Sequence, residues 1–109
     1  MTETDSAPKF MLHGKLTATP GNGDQLASIL SEQASAAPMP GCHLYLIARD
    51  PEAVDAVWVT EVWESPEAHK ASLQLPEVRS RIERAMPLLN LEEASQQHLV
   101  AVAGVPRGN

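Results

Sequence analysis

Hydrophobic positions are densest between residues 56 and 63, where most residues are β-branched or aromatic, and this pattern predicts a β-strand. Side chains in a strand point alternately to its two faces, and here both faces carry mostly apolar residues. We therefore expect this strand to lie at the centre of a sheet that is covered on both sides. The first face holds Val57, Val59, Glu61 and Trp63, and the second holds Trp58, Thr60 and Val62.

A helix is predicted directly after this strand. The Ser65 hydroxyl can accept a hydrogen bond from an amide of the first turn, Pro66 suits the first helical position, and Glu67 favours the positive end of the helix. The strand thus ends at Trp63 beside the start of a helix. A large aromatic ring in that position is suited to form the wall of a small-molecule pocket.

The remaining patterns predict three more strands and two more helices. Breaks at proline and glycine separate these segments, and Asn22 with Gln25 suggests a capping box before the first helix. The order is β-α-β-β-α-β with a divided second helical region, which predicts a ferredoxin-like α+β fold: a four-stranded antiparallel sheet with the helices on one face. The predicted strands are 10–18, 42–49, 56–63 and 95–105, and the helices are 22–37, 66–73 and 76–85.

The sheet face opposite the helices is also expected to be apolar. A large apolar face is rarely left open to water on a monomer. We therefore predict a homodimer in which two copies pack sheet against sheet; the alternative is an additional element that covers this face.

Composition narrows the class of protein. A chain of 109 residues favours one domain, here 9–105, with loose tails at 1–8 and 106–109. Its net charge is −6 and it has no basic cluster, so we expect neither a nucleic-acid partner nor an anionic membrane surface. The chain has no apolar run of membrane-spanning length and no signal-peptide pattern at its start. The single cysteine, Cys42, fits a reducing cytoplasm.

An ordered set of short motifs resembles the antibiotic biosynthesis monooxygenase family of dimeric α+β barrel proteins. These motifs are Pro40-Gly41 before the second strand, the E-x-W sequence of residues 61–63, Glu67-Ala68 in the following helix, and Pro76. The resemblance covers about residues 9–105. It implies a homodimer of ferredoxin-like subunits.

The resemblance also implies a function, namely oxygenation of a small phenol, anthrone or quinol by dioxygen without a metal or other cofactor. The protein then binds a flat aromatic, accepts its proton and excludes water. In this interpretation His69 is the catalytic base, and Trp63 forms a wall of the substrate pocket or stacks on the substrate. The substrate-binding candidates are Trp63, Glu61, Tyr45, His43, Ser72, Ile82 and Met86.

The chain departs from three patterns of this superfamily. Haem-degrading members carry a tryptophan and an axial histidine where this chain has Ser72 and Ile82, so haem degradation is not expected. Quinol-oxidising members place a histidine at Ser72, whereas here the nearest is His69, one helical turn earlier. Anthrone-oxidising members have an asparagine near the place of Val59. The side chain of Val59 cannot form a hydrogen bond with a substrate oxygen.

Each candidate also has an ordinary structural interpretation. Trp63 can be a core residue, Glu61 can form a cross-strand salt bridge with Arg49, and His69 can be a solvated surface residue. The histidine spacings do not match a zinc-binding motif. Two other functions therefore stay open: a non-catalytic ligand-binding dimeric module without an ionisable group near the pocket floor, and an isomerase that needs a base but no oxygen.

Overall fold

The structure, a computed structural model, describes residues 8–106. Its elements follow the predicted β-α-β-β-α-β order. The predicted tails at 1–8 and 106–109 lie almost entirely outside the described residues. The strands are β1 (Lys9–Thr17), β2 (Cys42–Asp50), β3 (Ala53–Trp63) and β4 (Ser95–Ala101); the helices are α1 (Gly23–Ser31), α2 (Pro66–Ser72) and α3 (Pro76–Ala85), with short 3-10 turns at Glu32–Ser35, Met86–Leu88 and Leu91–Glu93.

The four strands form one antiparallel sheet in the order β2-β3-β1-β4. Strand β3 is central, as predicted, and pairs with β1 on one side and β2 on the other. One face of the sheet packs against α1 and α3 through a core in which Leu26, Val57 and Ala85 are buried. The ferredoxin-like fold predicted from the sequence is confirmed.

Several predicted element boundaries are wrong. Strand β3 begins at Ala53 and not at 56. Strand β4 ends at Ala101 and not at 105; Ala101 pairs with Lys9, the first residue of β1, and β4 has no further strand pairing within residues 8–106. Helix α1 ends at Ser31, and the 3-10 turn Glu32–Ser35 replaces the rest of the predicted helix. Helix α2 ends at Ser72 and not at 73. Within residues 8–106, no helix is long and apolar enough to cross a membrane.

The two predicted helix caps have different outcomes. The Ser65 hydroxyl accepts a hydrogen bond from the Ala68 amide at 3.1 Å, which confirms the predicted cap of α2. The predicted capping box of α1 is wrong, because the Asn22 side chain makes no cap hydrogen bond. The carboxylate of Asp55 on β3 instead accepts from the Gly23 amide at 3.0 Å, so a neighbouring strand stabilises the start of α1.

A β-bulge at the start of β2 changes which side chains share a face. Cys42 pairs with Trp63 and Leu44 pairs with Val62, so His43 is the extra residue. Simple alternation along β2 would put Cys42 and Tyr45 on opposite faces, but the bulge puts them on the same face, because they pair with Trp63 and Glu61, which share one face of β3.

Gly41, just before β2, lies at the end of the sheet where Trp63 is found. Its φ is +80°, and a Cβ added there would lie 2.8 Å from the Ala68 side chain of α2. The Gly41 carbonyl accepts a hydrogen bond from the Glu64 amide at 2.7 Å. Glycine is thus required where β2, the end of β3 and the start of α2 converge.

Candidate active site

A cavity of about 430 Å³ lies between the helix-facing side of the sheet and helices α2 and α3. Most of its wall is apolar, including Leu16, Leu30 and Val59. Its size and its few polar groups are typical of a small-molecule binding site. Of the predicted site residues, those that line it are Tyr45, Glu61, Trp63, His69, Ser72, Ile82 and Met86.

Trp63 is both a core residue and a wall of this cavity. Its side chain is 1% exposed, and its ring borders the cavity. The indole N–H donates a hydrogen bond to Oε1 of Glu61 at 2.9 Å. The indole is thereby held in one orientation, with its polar atom satisfied and its apolar surface next to the cavity.

Glu61 projects from β3 on the same face as Trp63 and is only 13% exposed. Burial raises the pKa of this carboxyl above its ordinary value, and the indole hydrogen bond and the charge of His69 partly oppose the increase. The predicted salt bridge to Arg49 is wrong: Arg49 pairs with Asp24 at 3.1 Å.

His69 on α2 completes a cluster with these two residues. Its Nε2 lies 3.8 Å from Oε1 of Glu61, a distance that suits an ion pair when the imidazole is protonated. The ring packs edge-on against Trp63, with 5.5 Å between ring centroids, and the side chain is 23% exposed. His69 is therefore a wall of the cavity and not a solvated surface residue. The cluster Glu61–Trp63–His69 can accept, hold and return a proton next to an apolar wall.

The other predicted residues in the cavity differ in what they offer a ligand. Burial, with a further contribution from the charge of Glu61, raises the pKa of Tyr45 to about 12, so its hydroxyl stays protonated at neutral pH. Ser72 is buried, and its hydroxyl donates to the His69 carbonyl at 2.6 Å, within its own helix. Ile82 and Met86 on the α3 side are exposed and provide apolar surface where the cavity meets solvent.

Comparison with known families agrees with this geometry. The model of the antibiotic biosynthesis monooxygenase family matches residues 9–84. The chain belongs to this family. Membership confirms both the resemblance identified in the sequence and the prediction that the protein is an enzyme. The comparison with curated proteins gives no significant match.

Solved structures of the family support the same assignment. A candidate antibiotic biosynthesis monooxygenase from Chloroflexus aurantiacus J-10-fl is 48% identical, with a TM-score of 0.74 over 89% of this chain and 98% of that chain. A second candidate from Deinococcus radiodurans is 22% identical, with a TM-score of 0.71 over 92% and 99% of the two chains. The latter likeness shows the fold alone.

One predicted site residue of this family member lies elsewhere. His43, the bulge residue, does not line the cavity; its Nε2 lies 2.8 Å from Oε1 of Glu64. Glu64 also accepts a hydrogen bond from Lys9 at 3.4 Å. These contacts hold the ends of β1 and β2 to the residue that follows β3.

Sequence reasoning missed one polar part of the cavity, formed by Arg81 on α3 and Gln33 in the turn after α1. The apolar stripe of α3 suggests that its arginines point away from the core. Arg81 nevertheless lies three residues after Val78 and four before Ala85, which also line the cavity. That helical spacing is the signal in the sequence that identifies it.

Proposed function

We propose that this protein is a cofactor-independent monooxygenase that uses dioxygen to oxidise a small phenol, anthrone or quinol-like substrate. The observation that supports this proposal best is the Glu61–Trp63–His69 cluster on the wall of a mostly apolar cavity. The cavity can hold a flat aromatic, and the cluster supplies an acid–base group where water is limited.

The proposed reaction is illustrated by an anthrone. His69 takes a proton from the activated CH₂ group, and the carbanion gives one electron to dioxygen. The resulting carbon radical and superoxide combine into a C–O bond, and His69 returns its proton to the peroxide. The second C–H proton is lost as the O–O bond breaks, so that anthrone and O₂ give anthraquinone and water. The electrons come from the substrate itself.

Glu61 and Trp63 support this step in different ways. A protonated His69 is stabilised by the carboxylate of Glu61, 3.8 Å away. The indole hydrogen bond fixes the carboxylate, so the charge is already oriented when the proton arrives. The Trp63 ring also gives the cavity a buried apolar surface against which a flat aromatic can pack.

The presence of this cluster bears on the alternative functions. A non-catalytic binding module is expected to have no ionisable group near the pocket floor, whereas Glu61 and His69 both line this cavity. An isomerase would use the same base without oxygen. In an anaerobic chamber the turnover of an isomerase would continue, whereas that of a monooxygenase would stop.

Oxygen uptake with anthrone and with menadiol tests the proposal. We expect uptake above the rate in buffer, with anthraquinone as the product from anthrone. Removing the base in His69→Gln should lower kcat by a factor of about 10²–10⁴, the usual contribution of a general base. No uptake above the buffer rate with either substrate would refute the proposal.

His98→Gln is the matched control for this experiment. Both His69 and His98 pack against Phe10, with ring centroids 6.0 Å and 5.8 Å away, but His98 does not line the cavity. Uptake should stay within about twofold of wild type in His98→Gln. Equal losses in the two variants would mean that His69 acts only through packing.

A second copy of the chain is proposed to cover the sheet face opposite the helices. On this face Leu46 is 51% exposed and Leu99 is 40% exposed, and Trp58 is also partly exposed. Burial of such a face between two copies would remove its apolar surface from water. Sedimentation should give about twice the monomer mass, and Leu46→Lys should shift the protein towards the monomer. A wild-type protein that sediments at monomer mass would contradict the dimer.

A further inference from the structure

Arg81 differs from every other group in the cavity wall. It is the single lysine or arginine among the described residues that line the cavity, whose wall is otherwise mostly apolar. The protein as a whole has a net charge of −6, which disfavours anions near its surface. A cation in this cavity is thus a local feature that general composition does not explain.

Arg84, one helical turn along α3, has a partner that Arg81 lacks. Both terminal nitrogens of Arg84 donate to the Glu32 carboxylate, at 2.8 Å and 2.6 Å. The charge of Arg81 also helps to lower the pKa of Glu32, but less than the hydrogen bond from Arg84 does. Among residues 8–106, no carboxylate lies within ion-pair distance of Arg81. The ion-pair partner of Glu32 is therefore Arg84 and not Arg81.

The group that does contact Arg81 is neutral. A terminal nitrogen of Arg81 donates to Oε1 of Gln33. Gln33 is only 8% exposed, and its Nε2 donates to the Ala37 carbonyl at 3.1 Å, so the amide is held with its oxygen towards Arg81. The amide orients the guanidinium without cancelling its charge. Most of the five N–H donors of a guanidinium are left for other partners.

Tyr45 connects this cation to the proposed catalytic cluster. The charges of Glu61 and Arg81 both act on its hydroxyl, Glu61 raising and Arg81 lowering the pKa. Tyr45 pairs with Glu61 across β2 and β3, and Arg81 lines the same cavity as both residues. A molecule that fills this cavity is therefore enclosed by both the cluster and the guanidinium.

From these contacts we infer that Arg81, held by Gln33, is the binding subsite for a carboxylate on the aromatic substrate. An arginine fork matches the geometry of a carboxylate, and the charge-assisted hydrogen bonds would form against an apolar wall that weakens competition from water. The substrate class is then an aromatic acid whose carboxylate is remote from the oxidised position. This inference takes the cavity as the substrate site and so rests on the proposed function.

Calorimetric titration of the full chain with a matched pair of probes tests the inference. The probes are 6-hydroxy-2-naphthoate and its methyl ester, which share the ring and the phenol but differ in charge. Wild type should bind the acid at least about tenfold more tightly than the ester, as expected for charge-assisted hydrogen bonds. The preference should fall below about twofold in Arg81→Met, persist in Arg84→Met, and be partly retained in Arg81→Lys.

Each outcome decides the inference. Equal binding of acid and ester by wild type, or binding of neither at millimolar concentration, would overturn it without any variant. A preference retained in Arg81→Met, or lost equally in Arg84→Met, would overturn it as well. Binding and oxygen uptake are separate measurements. A preference for the acid without oxygen uptake would support the carboxylate subsite and refute the monooxygenase proposal. Oxygen uptake without a preference for the acid would support the monooxygenase proposal and refute the subsite.

Discussion

The hydrogen bond between Trp63 and Glu61 makes a quantitative prediction about stability. The indole N–H donates to a carboxylate that has little access to water, so each residue needs the other. Trp63→Phe removes the donor but keeps an aromatic ring in the core. Glu61→Gln removes the charge but keeps an oxygen that can accept from the indole. We expect the effects of the two substitutions on the free energy of unfolding to be coupled.

The size of the coupling follows from the contacts. Trp63→Phe loses about three buried ring atoms, worth about 2 kcal/mol of apolar burial at ~0.8 kcal/mol each. It also loses a hydrogen bond to a charged group, worth about 1.5–3 kcal/mol, and leaves Glu61 less satisfied. The total cost is about 3–5 kcal/mol in wild type. In a Glu61→Gln background the lost bond is a neutral one worth about 1 kcal/mol, so the coupling energy should be about 0.5–2 kcal/mol.

Urea unfolding of the wild type, both single variants and the double variant measures this coupling. Circular dichroism is the suitable signal, since Trp63 is itself removed, and one fixed protein concentration is used because a dimer would make stability depend on concentration. The transitions are compared at pH 8, where the carboxyl is more fully ionised.

Trp58→Phe is the control for this cycle. Trp58 lies on the opposite face of β3 and stacks on His13, with 5.2 Å between the ring centroids. Its coupling to Glu61→Gln should not exceed about 0.5 kcal/mol, the range of independent sites. The same small value for Trp63→Phe would show that the indole and the carboxylate do not stabilise each other.

Three further predictions concern stability. Since burial raises the pKa of Glu61, its contribution to stability is present below the ordinary value of 4.5 and is lost as pH rises through the raised value. Chemical unfolding of Glu61→Gln should therefore show less loss of stability than wild type between pH 4 and pH 8, and equal slopes would contradict this. Ser65→Ala should cost about 1 kcal/mol in thermal unfolding, because the Ala68 amide loses its cap; Ser65→Asn, which can still cap, should recover most of that cost. Gly14→Ala should cost about 1–3 kcal/mol, because the new Cβ would lie 2.5 Å from the Ser95 carbonyl oxygen of β4 and backbone would have to move; an unchanged melting temperature would refute the clash.

The central strand and the start of α2 are predictable because their causes are local. The alternation from Val57 to Trp63 reflects the two faces of a strand, and the capping of Ala68 by Ser65 spans four residues. The same reasoning fails at Asn22, where Asp55 from another strand provides the cap. A side chain 32 positions away in the chain leaves no local signal.

The regular alternation of side chains along β2 is interrupted for a related reason. The bulge at His43 shifts the register by one residue, and its position depends on how β2 meets β3 and Gly41. The last residue of β4, Ala101, likewise pairs with Lys9, the first residue of β1, which is far away in the chain. Pairing partners, and not propensity, decided both features.

The sequence by itself determined the β-α-β-β-α-β order, the central place of β3, the family, and many of the residues around the cavity. These features were predictable because hydrophobic patterns, helix caps and family motifs each depend on residues close together in the chain. Only the tertiary structure decided which polar groups meet. Glu61 accepts a hydrogen bond from the indole of Trp63 and does not pair with Arg49. Arg81 donates to Gln33, whereas Arg84 pairs with Glu32. Those pairings depend on strand register and on how the helices pack across the sheet, and both arise from contacts between residues distant in the chain.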